Sequence, residues 1–390
     1  MVKRRNPAIL APMKALLRLV VASLALLFAA PAVAQTRAEW DGVSRIVAIG
    51  DLHGDYDKFA DMLRNAGLID ARNNWIGGAT HLVQLGDVPD RGPQTRMILD
   101  LLMHLEPQAR RAGGFVHPLI GNHEAMNMYG DLRYTHAGEY AAFATSRSAR
   151  ARDQYYRTYI RGLRAHPPAD GLPTFDAAYR AHWDEEHPLG WVEHREAWSP
   201  RGRYGRWISQ HDAVIRINDT LFLHGGLGPT FAATPRLTMD DAVRAALRGR
   251  PVQEYADILE HQQGPLWYRG LSQNPEAAET ANLENVLRGQ GVARVIVGHT
   301  KVTGTVLPRF NGRVLVADIL VPRGHTDPHA FLIMENGAWT TIHRGQRVPV
   351  NASTPEAICA YLRQITALDN GAGPVAELTA SQCAAPAVAH

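Results

Sequence analysis

Thiols are scarce in this chain: among 390 residues only Cys359 and Cys383 carry one, and both lie near the C-terminal end. That excludes a structural zinc cage built from thiolates. Long apolar stretches are equally scarce. Leu19–Ala30 is a mainly apolar run of 12 residues, well short of the roughly 20 that a bilayer-crossing helix needs, so no stable membrane insertion is expected. Internal repeats are missing, and the only low-complexity tract is the Ala-rich run of the last eight residues, which is expected to be disordered.

A basic surplus is missing too once the N-terminus is set aside. Lys3, Arg4 and Arg5 precede the apolar run, which closes on Ala32-Val33-Ala34, the layout of an export signal cleaved after Ala34. Without residues 1–34, 36 basic side chains face 38 acidic ones, and the formal charge moves from +3 to −2. The high apparent pI therefore belongs to the leader, and composition gives no support to a nucleic-acid-binding surface. The expected location is periplasmic or secreted; an uncleaved signal would instead anchor the chain to the membrane. Met13-Lys14 would open a compact signal of its own, which leaves the start open between Met1 and Met13. What remains, residues 35–390, is enough for one large α/β domain with insertions or for two smaller ones. In an exported chain the two cysteines are expected to pair.

What is there is an alternation of short apolar strands and helical stretches, which favours an α/β sandwich. Strands are expected at Arg45–Ile49, His81–Leu85 and Phe115–Ile120, with helices over Asp55–Ala66 and Thr95–Leu105. Residues 129–206 break this rhythm and read as a mainly helical insertion, with Tyr155, Tyr156, Trp183, Trp191 and Trp198 as its local core. Beyond it, Ala213–Ile217 and Thr220–Leu223 suggest a hairpin, residues 239–262 and 276–289 helices, and Ala293–Val297, Arg313–Ala317, Ala330–Met334 and Trp339–Ile342 further strands. The domain is expected to end near residue 345, leaving 346–390 as a C-terminal tail.

Five strand-like runs end in a Gly beside potential metal ligands: Gly50-Asp51-Leu52-His53-Gly54, Gly86-Asp87, Gly121-Asn122-His123-Glu124, His224-Gly225-Gly226 and Gly298-His299-Thr300. Groups at the carboxyl ends of strands converge on one crevice in α/β folds, so these residues are expected to share a site. If strand geometry persists, Asp51 and His53 point the same way, and the glycines let the backbone turn sharply beside them. Asp51, His53, Asp87, Asn122, His224 and His299 form a mixed carboxylate, amide and imidazole set that suits two ions such as Mn, Fe or Zn and is too rich in His for calcium. A carboxylate shared by two cations about 3.5–4 Å apart can position a hydroxide for in-line attack on phosphorus, and Asp87 is the natural bridge. Arg91 can clamp phosphate oxygens. His123 suits a general acid, with Asp90 fixing its tautomer. Glu124 reads as a helix cap, and His81, His104, His117, His166 and His261 as ordinary structural or surface histidines.

In order and spacing across roughly residues 45–320, Gly50–Gly54, Gly86–Gly92, Gly121–Glu124, His224–Pro229 and Gly298–Thr300 resemble the signature blocks of the calcineurin-like metallophosphoesterase superfamily. Gly86-Asp87-x-x-Asp90-Arg91-Gly92 and His224-Gly225-Gly226-Leu227 resemble its phosphoprotein phosphatases. The long insertion and Gly264-Pro265-Leu266-Trp267-Tyr268-Arg269 resemble their Shewanella-like bacterial branch. The resemblance implies a two-sheet β-sandwich flanked by helices. It implies Asp51, His53 and Asp87 on one metal and Asp87, Asn122, His224 and His299 on the other. It further implies Arg91 and Arg269 on phosphate, Arg206 as a third phosphate ligand, and His123 as acid with Asp90 in support. Val88-Pro89 stands where eukaryotic members commonly have Tyr-Val. Val316–Leu320 is only loosely like the closing strand, and Asp318 is given no role. The expected activity is hydrolysis of phosphomonoesters, with phosphotyrosine or phosphoserine/threonine proteins as candidate substrates, by a metal-bridging hydroxide. A phosphodiesterase or dinucleoside polyphosphate hydrolase is the alternative enzyme, and an exported metal- or phosphate-binding module the non-enzymatic one.

Overall fold

Alternate residues of Arg45–Ile49 enter different apolar layers, as a strand covered on both faces requires: Ile46 and Ala48 face one layer, Val47 and Ile49 the other. This strand is β2 of the computed structural model, which describes residues 38–301, 304–319 and 330–383. The expected export signal and the Ala-rich end past Cys383 lie outside the described residues.

Along the chain, β1 (Glu39–Trp40) and β2 lead to α1 (Tyr56–Asn65), β3 (His81–Gln84), α2 (Thr95–Arg111), β4 (Phe115–Pro118) and α3 (Asn122–Tyr129). The insertion contributes α4 (Ala137–Phe143), α5 (Ser148–Ala165), α6 (Ala177–Glu186), α7 (Trp191–Trp198) and α8 (Arg203–Ile208). Then come β5 (Val214–Ile217), β6 (Thr220–Leu223), α9 (Arg236–Leu247), α10 (Gly270–Gln273), α11 (Glu276–Gln290), β7 (Arg294–Val297), β8 (Leu307–Arg309) and β9 (Val314–Val316). The described chain closes with β10 (Phe331–Glu335), β11 (Ala338–His343), β12 (Gln346–Pro349), α12 (Pro355–Leu368) and α13 (Pro374–Gln382).

These strands form two sheets, β12-β11-β10-β2-β3-β4 and β1-β5-β6-β7-β9-β8. Within the first, β2, β3 and β4 run parallel; within the second, β6, β7 and β9 do. Between the sheets Ile46, Ala48, Val83 and Leu85 meet Ile217, Phe222, Ile296 and Leu315. Helices cover the outer faces through Phe59 and Leu63 of α1, Ile98 and Leu102 of α2, and Leu283 and Val286 of α11. Each such buried side chain contributes roughly 1.5–3 kcal/mol. The fold is thus the expected two-sheet sandwich flanked by helices.

Several boundaries differ from the sequence reading. The helix expected over 239–262 stops at Leu247, because Gly249 takes φ +70° and Pro251 follows. Helix α2 continues through Pro107 to Arg111, with Leu105 and Ala109 buried in the core holding it together. In the insertion, Trp183 stacks on His187 at 4.1 Å and meets Tyr156 at 4.9 Å, whereas Trp198 is fully buried in the main core. Residues 346–383 are no appendage: β12 extends a sheet, and Tyr361, Leu362 and Ile365 of α12 join the main core. Cys359 and Cys383 are disulfide-bonded, tying α12 to the end of α13. No helix among the described residues is long and apolar enough to cross a membrane.

Candidate active site

The parallel strands β2, β3, β4, β6, β7 and β9 all run toward one edge of the sandwich, and each is followed there by a polar residue. Asp51 and His53 follow β2, Asp87 follows β3, Asn122 β4, His224 β6, His299 β7 and Asp318 β9. None of these side chains belongs to a residue more than 5% exposed. Two-sheet topology thus gathers groups spread over more than 250 residues of sequence.

Asp87 stands between two sets. On one side its Oδ1 lies 3.2 Å from His224 Nε2, which is 3.0 Å from both Asn122 Oδ1 and His299 Nδ1. On the other its Oδ2 lies 3.9 Å from His53 Nε2, itself 3.7 Å from Asp51 Oδ2. The outward nitrogens fix the tautomers: His53 Nδ1 donates to Pro89 O at 3.0 Å and His224 Nδ1 to Leu85 O at 2.8 Å. The Nε2 lone pairs of both rings therefore face the carboxylates, which is the arrangement that metal-binding histidines adopt. Facing lone pairs in a buried space are repulsive unless a cation lies among them. Two buried groups that share Asp87, one with His53 and His123 and one with His224 and His299, could each hold a metal ion.

The electrostatics point the same way. Burial, then the charges of Asp318 and Asp87, push the Asp51 carboxyl well above the usual range. Burial acts in that direction on Asp87 as well, but the imidazoles of His224, His123 and His53 outweigh it and hold the carboxylate well below. Burial lowers His53 to about 3, so its ring is neutral and able to ligate. His299 is likewise held low, by burial and by His224.

The backbone shows where the turns are made. His53, Asp87, Asp90, Arg91 and His299 themselves adopt left-handed φ of 47°, 57°, 75°, 64° and 63°. For L residues this costs roughly 1–2 kcal/mol each, and such strain gathers at functional sites. So strand geometry does not persist from Asp51 to His53; the chain turns between them and still brings their side chains together. Gly54 and Gly86 are left-handed as well, at φ 70° and 92°, and they also permit close approach: a Cβ on Gly86 would lie 2.6 Å from Gly121 N and 2.9 Å from His224 Nδ1.

Beside the shared carboxylate, His123 Nδ1 bonds Asp90 Oδ2 at 2.6 Å. Asp90 is fixed in turn, its Oδ1 accepting from Asn127 Nδ2 at 3.1 Å and Thr135 Oγ1 at 3.0 Å, and its N–H donating to Glu139 Oε1 at 2.9 Å. Burial alone would lower His123, yet Asp87 and Asp90 prevail and raise it. The Arg91 guanidinium lies against His53 Nε2 and 3.2 Å from His123 Nε2. Arg269 donates to His299 O at 2.7 Å and is electrostatically coupled to Asp51 and Asp87.

Arg206 does not join them. It is exposed on α8 and bonds Gly202 O within its own helix, while its neighbour Trp207 bonds Glu106 in the distal half of α2. Helix α2 starts beside the site, where Thr95 bonds Glu139, and runs about 1.5 Å per residue away from it. The buried faces of Tyr204 and Ile208 leave Arg206 pointing outward.

Asp318, given no role in the sequence reading, lies fully buried beside Asp51. The strand before it was expected at Arg313–Ala317, but Val316–Leu320 lacks the glycine that flanks the other candidate ligands and resembles the family's closing strand only loosely. Asn127, Thr135 and Glu139, which hold Asp90, carry no sequence signal.

Residues 44–302 match the family model described as calcineurin-like phosphoesterase. The chain belongs to that family. It is 32% identical to Shewanella-like protein phosphatase 2 of Arabidopsis thaliana over 298 residues, 75% of each chain. Against Shewanella-like protein phosphatase 1 of Plasmodium berghei the identity is 26%, over 67% of this chain and 62% of the other. A solved cold-active protein tyrosine phosphatase superposes with a TM-score of 0.61 at 26% identity, over 81% of both chains. Another such structure, from a psychrophilic Shewanella species, gives 0.59 over 80% and 82%. The resemblance carried by the motifs is borne out, and this calcineurin-like phosphoesterase is a hydrolase of phosphoric esters.

Proposed function

We propose that this phosphoesterase is a dinuclear-metal phosphatase acting on phosphomonoesters, with phosphotyrosine or phosphoserine/threonine proteins among its substrates. The observation that carries the reading is Asp87, whose two oxygens face separate ligand sets while its carboxylate also borders the His123–Asp90 pair. Asp51, His53 and Asp87 would hold one ion, and Asp87, Asn122, His224 and His299 the other, with Mn, Fe or Zn suited to the donors. Such a pair supplies Lewis-acid polarisation of the phosphoryl group and an activated water.

The chain's own residues do the rest. Arg91 and Arg269 border the ligand sets from two sides and hold the phosphoryl oxygens. His123 holds a proton at Nε2 for the departing oxygen, and the bond from its Nδ1 to Asp90 keeps the ring oriented for it. His123 Nε2 is near enough to Asp87 Oδ2, at 3.7 Å, to be considered a ligand. Its raised pKa and its short bond to Asp90 favour proton transfer over ligation. The Cys359–Cys383 disulfide supports an oxidising, exported location.

The test compares p-nitrophenyl phosphate, bis(p-nitrophenyl) phosphate and a dinucleoside polyphosphate on protein reconstituted with manganese, alongside metal analysis. Two ions per chain and preference for the monoester are expected. Preference for the diester or the polyphosphate would replace this reading.

A further inference from the structure

Tyr134 is nearly half exposed, at 46%, yet its ring lies over two buried or half-buried groups of the site. Its centroid is 5.3 Å from that of His123, with the planes tilted by 48°, and 6.0 Å from the guanidinium carbon of Arg91. Arg133 approaches the same ring at 6.0 Å while its guanidinium is engaged by Asp131. The position is fixed from below. The N–H of Arg91 donates to Tyr134 O at 2.9 Å, and Thr135 Oγ1 donates to Asp90 at 3.0 Å. The loop that carries Arg91 and Asp90 and the segment that carries Tyr134 are therefore one piece. A large aromatic side chain left this exposed contributes little to the core, so its rigid placement over the acid needs another account.

We infer that the Tyr134 ring is the surface on which the leaving group of the substrate rests, and that it favours aromatic leaving groups over aliphatic ones. The inference rests on the phosphomonoesterase reading. The leaving oxygen is attached to a phosphorus held by Arg91 and accepts its proton from His123. His123 is 3% exposed, so whatever the oxygen carries has to extend toward solvent, and the Tyr134 ring is an exposed surface beside both residues. A flat ring lying on another gains roughly 0.5–1.5 kcal/mol beyond its buried area. That corresponds to a preference of about 2–12-fold.

The experiment uses the full chain reconstituted with manganese, as wild type, Tyr134→Phe and Tyr134→Ala, each first shown to keep the wild-type metal content. KM and kcat are measured for phenyl phosphate and for ethyl phosphate, and the affinities of phenylphosphonate and methylphosphonate by calorimetry. Tyr134→Ala should raise KM for phenyl phosphate and weaken phenylphosphonate by about 2–12-fold. The ethyl and methyl compounds should be little changed, and Tyr134→Phe should behave as wild type. Equal losses on both classes would mean that Tyr134 only supports the Arg91 loop, and no loss on either would mean that the ring does not touch the leaving group; both overturn the inference. A wild-type enzyme that binds metal but hydrolyses neither monoester overturns the phosphomonoesterase reading itself.

Discussion

Glu124 and Asp87 are joined through the backbone: Glu124 Oε2 accepts the N–H of Asp87 at 2.9 Å and that of Gly121 at 2.8 Å, while Oε1 accepts the N–H of Val88 at 2.7 Å. One carboxylate thus closes the N-terminus of α3 and pins the left-handed turn at Asp87. Removing it in Glu124→Ala leaves three buried N–H groups without an acceptor, each costing roughly 1–3 kcal/mol. The expected result is a loss of at least about 3 kcal/mol in denaturant unfolding and weaker metal retention on dialysis. A variant that unfolds like wild type and keeps both ions would remove Glu124 from this role.

The His123–Asp90 pair predicts a dependence on leaving group. His123→Asn keeps every proposed metal ligand but has no proton to give. General acid catalysis typically contributes about 10²–10⁴-fold, so kcat on an alkyl phosphate should fall within that range. On p-nitrophenyl phosphate, whose leaving group scarcely needs protonation, the fall should be much smaller. Steady-state kinetics on both esters decides it, and equal losses would take His123 out of the acid's role.

Asp87→Asn tests whether the shared carboxylate unites two metal sites. An amide keeps the shape but loses the charge that faces His53, His123 and His224. Both ions should be lost on gel filtration, and activity with them. Retention of one ion with the other lost would show that the two sets are independent, and full activity without bound metal would defeat the two-metal account.

Much of this site was readable because the proposed ligands follow strands, and strands were legible from their apolar character. Asp51, His53, Asp87, Asn122, His224 and His299 each stand just past such a run. What was lost is what local pattern does not encode. Asp318 follows the expected strand β9 but has no glycine beside it, and only its burial against Asp51 shows that it belongs to the site. Arg206 sits in a short motif that looks like a phosphate ligand, but helix packing decided which way it points. The glycines at Gly54 and Gly86 marked two of the left-handed turns, but that His53, Asp87, Asp90, Arg91 and His299 would share that conformation had no local signal. Helix α12 has no strand-end motif to mark its place, and only packing shows that Tyr361, Leu362 and Ile365 join the main core, with Tyr361 bonded to Thr341 of β11.

The disulfide lies outside the site and should separate stability from activity. Cys359 and Cys383 are 24 residues apart, and a loop of that size is worth roughly 3 kcal/mol in the chain-entropy account. The double variant Cys359→Ser, Cys383→Ser should melt at lower temperature under non-reducing conditions and keep its kcat and metal content at ambient temperature. Loss of metal binding would show that α12 and α13 support the site.

The buried imidazoles of His81 and His117, outside the metal site, are expected to contribute to the acid sensitivity of stability. They lie 3.0 Å apart, with Trp40 edge-on to both rings and Phe115 stacked on His117. Burial lowers His81 to about 4; burial, together with the charges of His81, Arg110 and His211, holds His117 well below the ordinary histidine range. The unfolded chain titrates near ~6.5, so below that pH the unfolded state binds protons that the folded state refuses. Their contribution is fully present above about pH 6.5 and is lost as pH falls toward about 4. Each group removes up to roughly 1.4 kcal/mol per pH unit within that window. Denaturant unfolding of metal-free protein between pH 4.5 and 7.5 should therefore show stability rising with pH, and the double variant His81→Leu, His117→Leu should flatten that rise. An unchanged slope in the variant would assign the acid sensitivity to other groups.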